Sequence, residues 1–300
     1  MRQIHWAGWL CGLFLFSVSF QPSAAPITFN TALPVSKGEG VMRVQAKYLR
    51  ATDEPGPMNR ELTVKALPIV GVWGITPRWT LFGIVPLLDK TMELNMPPGR
   101  TKRGVNGLGD VTAMVRYTAY SQDQAGRTFR IAPFAGIEMP TGEDDEQDAL
   151  GPLPGSLQLG SGAWNPVVGI VTTAQSLKQE WGISTSYKFN NAANGFERGD
   201  EARLDLSYHQ RIWMGGPADG LPHFLYTGIE SNWIWQGKNR NNGQDDPDSG
   251  GNTLYLAPTL QYVTRRTVVE TALQLPVVQN LNGNALKQDF IFTFSLRLNY

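Results

Sequence analysis

The sequence predicts an all-β fold: one closed antiparallel transmembrane barrel of about twelve strands. Three observations carry that prediction. Period-two alternation recurs along the chain and is clearest in the last thirteen residues, QDFIFTFSLRLNY. There Phe290, Phe292, Phe294, Leu296, Leu298 and Tyr300 share one parity, Asp289, Thr293, Ser295, Arg297 and Asn299 share the other, and Ile291 breaks the pattern. Successive side chains of a strand point to opposite faces, so one face is apolar and the other polar. The connections between such stretches alternate short and long. Finally, no apolar run of helical membrane length follows residue 25, which leaves a membrane-embedded chain only the closed barrel.

The totals agree with this class. Hydrophobic residues make up 41% of the 300 residues, and mean hydropathy is −0.24, as expected when only half of each strand is apolar. The formal net charge is zero, so there is no electrostatic footprint for nucleic acid. Gly 32 and Pro 20 supply turn residues for many short strands.

The first 25 residues read as a signal peptide. Arg2 supplies a positive start, Trp9 to Phe20 a short apolar run, and Ser23-Ala24-Ala25 a small-residue cleavage site. Cys11, the one cysteine, falls inside it, so the remaining chain has no disulfide option. Loss of Arg2 leaves a net charge of −1. Residues 26–40 form a segment of weak pattern that either lies in the periplasm or tucks into the lumen. Residues 41–300 are the barrel.

Along the barrel, 41–50 alternates, with Met42, Val44, Ala46 and Tyr48 opposite Arg43, Gln45 and Lys47. Residues 61–74 and 79–88 form a hairpin about the turn 75–78 and are apolar on both parities. Further strands are placed near 107–120, 127–140, 163–175, 180–190, 201–213, 222–236, 253–264, 267–278 and 287–300, with 88–106 as a long loop. Short periplasmic turns then alternate with long extracellular loops, and both chain termini are periplasmic. Tryptophans sort to strand ends: Trp73, Trp79, Trp181 and Trp213 beside short turns, Trp164, Trp233 and Trp235 beside long loops. Indoles favour the membrane interface, so two girdles are expected.

The final strand resembles the terminal strand of bacterial outer-membrane barrels, with Tyr300 where that class usually carries Phe. The resemblance implies that residues 288–300 are read by the barrel-insertion machinery and that lipid and lipopolysaccharide surround the chain. The hairpin GITPRWTLFGIVPLL (74–88), GLGDVTAMVRYTAY (107–120), GIEMPTG (136–142) and LQLGSGAWNPVVGI (157–170) look like the outer-membrane transporter family of the MetA pathway of phenol degradation. The matching positions are Gly107, Leu108, Gly109, Asp110, Pro140, Thr141, Gly142, Leu159, Gly160, Gly162 and Pro166. The resemblance implies a bacterial outer-membrane barrel for passive uptake of a small hydrophobic or aromatic solute. It brings no catalytic residues and no cofactor.

Inward parity assigns Arg43, Gln45, Lys47, Asp110, Thr112, Arg116, Arg203, Asp205, Ser207, His209, Glu230, Asn232, Glu270 and Gln274 to the lumen. Such mixed charges either pair as a structural network or line a polar path. In the doubly apolar hairpin lipid accepts one face only. The other, Leu67, Ile69 and Trp73 or their alternates, meets the lumen or the N-terminal segment, and in the lumen it is an apolar stripe for the solute. A lipid-modifying enzyme is the competing reading, resting on His209. Ser207 shares its face but lies about 7 Å away along the strand, too far for direct activation. A structural or surface-recognition barrel is the third. The acidic loops 142–148 and 243–251 lack the spacing of a calcium loop and read as solvated connections. No metal site is expected.

Overall fold

The computed structural model describes residues 24–97, 99–216 and 220–300. The signal-peptide assignment falls almost entirely on residues outside these. Twelve staves form the barrel: β1 Gly40–Ala51, β2 Glu61–Gly74, β3 Trp79–Met96, β4 in three pieces (Gly99–Leu108, Val111–Tyr117, Tyr120–Gln124), β5 Arg127–Met139, β6 Asn165–Ser176, β7 Gln179–Lys188, β8 Glu201–Gly215, β9 His223–Gln236, β10 Gly251–Val263, β11 Thr267–Leu281 and β12 Phe290–Asn299. Each pairs antiparallel with its neighbour, and the sheet closes through β12 on β1, from Val41↔Asn299 to Arg50↔Phe290. Closure leaves no edge strand, which the hydrocarbon layer requires.

The faces follow the alternation. On β12, Phe294 is 48% exposed while Ser295 is 0% exposed. The first faces lipid and the second the lumen. The tryptophans of both girdles lie exposed at the strand ends. At the short-turn end they pair with aromatic neighbours: Trp79 with Tyr117 at 4.7 Å, Trp181 with Tyr208 at 4.3 Å and Trp73 with Tyr300 at 6.3 Å between ring centres.

Two expectations are corrected. Residues 88–106 are not an open loop. β3 runs on to Met96 and pairs with the first piece of β4, from Leu87↔Leu108 to Met96↔Gly99. This ribbon rises from the rim and buries Met92 and Leu94 against Leu153 and Leu157 of the 140–164 connection. Beyond the lipid belt a strand has no need of an apolar outer face, so its charged residues imitate a loop. The predicted strand 107–120 is also not continuous. β3 pairs Leu87 with Leu108 but Ile84 with Thr112, so β4 carries one extra residue near Gly109–Asp110. Such a bulge bends a strand and re-aims a side chain.

The 26–40 segment lies in the lumen. It is stitched to walls on all sides. Ala25 exchanges hydrogen bonds with Gln261 on β10, at 3.3 and 2.8 Å. The Ala32 amide donates to Thr173 on β6 at 2.8 Å. Gly38 donates to the Gly74 carbonyl at the short-turn end at 2.9 Å.

Candidate functional site: the lumen and its N-terminal segment

Polar residues on the inner face of the wall meet as a connected network. Glu180 on β7 and His209 on β8 are directly opposite in register, and Glu180 Oε2 lies 2.7 Å from His209 Nδ1. His209 Nε2 is 3.2 Å from Glu230 Oε1 on β9. Glu230 in turn accepts from the amides of Ile27 at 2.7 Å and Thr28 at 2.8 Å, and from the Thr28 hydroxyl at 2.5 Å. Asn232 donates to Thr28 and to Asp205, each at 2.8 Å, and accepts from Gln274 at 2.9 Å. Arg203 reaches Asp205 at 3.3 Å. On the other wall Arg43 pairs with Glu270 at 2.5 Å and donates to the Ile27 carbonyl at 3.2 Å. Ser295 donates to Glu270 at 2.9 Å.

These groups are buried and need partners, because an unpaired polar group away from water costs about as much as a lost hydrogen bond or more. The N-terminal segment supplies several of them. Its backbone amides and carbonyls therefore complete the lumen network, which explains why a segment of weak sequence pattern takes a defined path. Both nitrogens of His209 face carboxylates. Ser207 Oγ is directed to Glu180, at 3.4 Å, and not to the imidazole.

The sequence placed Arg43, Lys47, Arg116, Arg203, Asp205, His209, Glu230 and Glu270 on the inner face, and there they lie, at least half-buried. Two assignments are corrected. Leu67, Ile69 and Trp73 stand on the outer face. Leu67 is 37% and Trp73 44% exposed, and Ile69 shares their parity, opposite Val85. The alternates Val70 and Val72 of β2 point inward with Phe82 of β3, where Val72 sits opposite Phe82 in register. Both parities are apolar here, so alternation alone carried no sign, and the pairing decides it.

Asp110 is the second correction. It sits at the β4 bulge and ties the bases of the 140–164 connection together. Its carboxylate accepts from the Gly142 amide at 3.0 Å and from the amide and hydroxyl of Ser161, both at 2.7 Å. Gly160 and Gly142 touch backbone to backbone. A Cβ on Gly160 would lie 2.2 Å from the Gly142 carbonyl oxygen, so no larger residue fits. The Gly-rich motifs thus form a clasp. The acidic stretch 142–148 is likewise folded: Arg103 holds Asp148 through two bonds, at 2.8 and 2.9 Å. That pairing keeps the Asp148 carboxyl below the usual carboxylate range.

Below the polar network, towards the short turns, an apolar cavity of about 110 Å³ opens between the N-terminal segment and the wall. Val70, Val72 and Phe82 line it from the wall, and Leu33, Pro34 and Val35 from the segment. Arg116 lies at its side, with its guanidinium 4.9 Å from the centre of the Phe82 ring. Arg116 donates to the carbonyls of Thr31 and Leu33. The sequence offered no sign of Glu180, Thr173 or Gln261 as lumen partners, since each is defined by a neighbour far away along the chain.

The fold and lumen define an outer-membrane-type β-barrel that carries its own internal segment. The chain belongs to the family described as Putative MetA-pathway of phenol degradation, which matches residues 61–288. Among solved structures, an outer membrane channel from Pseudomonas putida F1 superposes with a TM-score of 0.65 at 16% identity, covering 93% of this chain and 100% of that one. The beta domain of the Bordetella autotransporter BrkA gives a TM-score of 0.43 at 11% identity, with coverage of 88% and 100%. A Pseudomonas aeruginosa FadL homologue gives 0.37 at 10% identity, with coverage of 94% and 95%. No protein of curated function matches the chain in sequence.

Proposed function

We propose that this protein is an outer-membrane channel through which small hydrophobic or aromatic compounds cross passively. The observation that carries the reading is the apolar cavity inside an otherwise polar lumen, walled by Val70, Val72 and Phe82. Lipid covers only the outer face of β2 and β3, so the inner valines are not there to meet the membrane. Apolar surface facing a watery lumen is stabilised by an apolar occupant. An apolar pocket of about 150 Å³ is known to take benzene, so this cavity is on the scale of a single aromatic ring. The family description and the likeness to the Pseudomonas putida channel point the same way. The solvated belt of lipopolysaccharide, and the insertion machinery reading residues 288–300, are the partners this reading implies.

The test uses vesicles whose outer leaflet is lipopolysaccharide, which slows direct passage of apolar solutes. Phenol entry should be faster with the protein than without it, and Val72→Asp should slow it. Entry no faster than into protein-free vesicles would overturn the proposal.

A further inference from the structure

Arg116 is 3% exposed, yet among the described residues it faces no carboxylate. Its guanidinium donates to the neutral carbonyls of Thr31 and Leu33, and its Nε is buried without an acceptor. By contrast Arg43, Arg203 and His209 each face an acid, Glu270, Asp205 and the pair Glu180 and Glu230 respectively. Taking a cation out of water without a counterion is among the costliest arrangements a fold can contain. A guanidinium also has five N–H donors in a planar fork. Two carbonyls leave donors over, and a planar fork matches the paired oxygens of an oxyanion such as a carboxylate.

The uncompensated charge sits at the side of the apolar cavity. From that juxtaposition we propose that the cavity is a binding site for a single-ring aromatic carboxylate, its carboxylate on Arg116 and its ring against Val70, Val72 and Phe82. This rests on the channel reading above and names the class of solute that the site prefers. The cavity volume of about 110 Å³ limits the occupant to one ring. The charge favours a carboxylic acid over phenol, because a phenolic hydroxyl ionises near pH 10 and is neutral at pH 7, whereas a carboxylic acid is ionised. Arg43 and Arg297 also line the cavity, but both lie in the field of Glu270, whereas Arg116 has no acid beside it among the described residues, so the anion is matched at Arg116. The segment itself takes part: Thr31 and Leu33 hold the guanidinium, so an anion that draws on Arg116 also loosens one attachment of the segment.

The experiment is calorimetric titration of the purified full-length barrel in detergent at pH 7 with benzoate, benzyl alcohol and acetate. Benzyl alcohol keeps the ring without the charge, and acetate keeps the charge without the ring. Benzoate should bind at least about tenfold tighter than either, as a charge-assisted bidentate contact implies. Arg116→Gln retains a donor for the segment carbonyls. It should reduce benzoate to the level of benzyl alcohol, removing the preference for the charged ring. Equal binding of benzoate and benzyl alcohol by the unaltered protein overturns the inference, with no variant needed. So does an Arg116→Gln barrel that still shows the unaltered heat-dependent gel mobility and binds benzoate as before. Phenol entry into the lipopolysaccharide vesicles separates the two readings. Entry without a preference for benzoate defeats this inference alone, and failure of both defeats the channel as well.

Discussion

Removing the Glu230 carboxylate should release the middle of the N-terminal segment while leaving the barrel intact. Glu230 is fully buried and accepts from the Ile27 amide, the Thr28 amide and the Thr28 hydroxyl, at 2.7, 2.8 and 2.5 Å. Glu230→Ala strands all three donors. Breaking a buried charged pairing by deleting one partner costs about 3–5 kcal/mol. At about 1.4 kcal/mol per factor of ten, that predicts a roughly hundred- to few-thousand-fold rise in local opening. His209 keeps its contact with Glu180 at 2.7 Å, so the β7–β8 side of the network persists. Amide hydrogen exchange on the protein in lipid reads the effect directly, since exchange at Ile27 and Thr28 reports their opening. Ala32, bonded to Thr173 across the lumen, shows whether the segment leaves piecewise or whole. Unchanged protection at Ile27 and Thr28 would refute the reasoning, because the segment would then be held by something other than this carboxylate.

Three further outcomes are expected. Phe294→Arg places a charge on the lipid face of β12 and should destabilise the barrel by about 2–4 kcal/mol near the midplane in denaturant unfolding from vesicles; an unmoved midpoint would mean this parity does not face lipid. Asp110→Ala leaves the Gly142 and Ser161 amides without their acceptor. At about 1 kcal/mol for each partly buried group, the 140–164 connection should become protease-sensitive while the staves resist, and an equally resistant connection would contradict the clasp. The Asp148 carboxyl lies below its ordinary value through Arg103, so its contribution is present above about pH 4 and is lost as pH falls through the lowered value. Exchange protection of residues 147–153 should therefore be flat from neutral pH to about 5 and fall only in stronger acid. Asp148→Asn should abolish that fall, and loss of protection already near pH 6 would contradict the assignment.

Much of the barrel was legible because lipid imposes one rule on every stave. Met42 and Phe294 must be apolar and Gln45 and Ser295 need not be, so parity in β1 and β12 reads out the faces. Where the rule stops, so does the reading. The β3–β4 ribbon beyond the belt, with Lys90, Glu93, Arg100 and Lys102, has no apolar face to mark it as strand. In β2 both parities are apolar, and only the register of Val72 against Phe82 shows which one lines the lumen. Apart from Asp110, the inner charges of the staves lie on the face that parity gives them, but parity says nothing of their partners. Glu180 meets His209 because the β7–β8 turn sets them opposite, and Glu230 meets Thr28 across about two hundred residues of chain. The segment itself binds mainly through backbone groups, which every residue carries, and so leaves little trace in sequence.

The central claim is that solutes pass through the lumen beside the N-terminal segment, using the inner apolar wall. The most direct measurement is phenol entry into lipopolysaccharide-faced vesicles for three proteins: unaltered, lacking residues 24–38, and carrying Val72→Asp, each first shown to be a folded barrel by heat-dependent gel mobility. The account predicts faster entry without the segment and slower entry with the aspartate. Folded variants that admit phenol at the unaltered rate would contradict it.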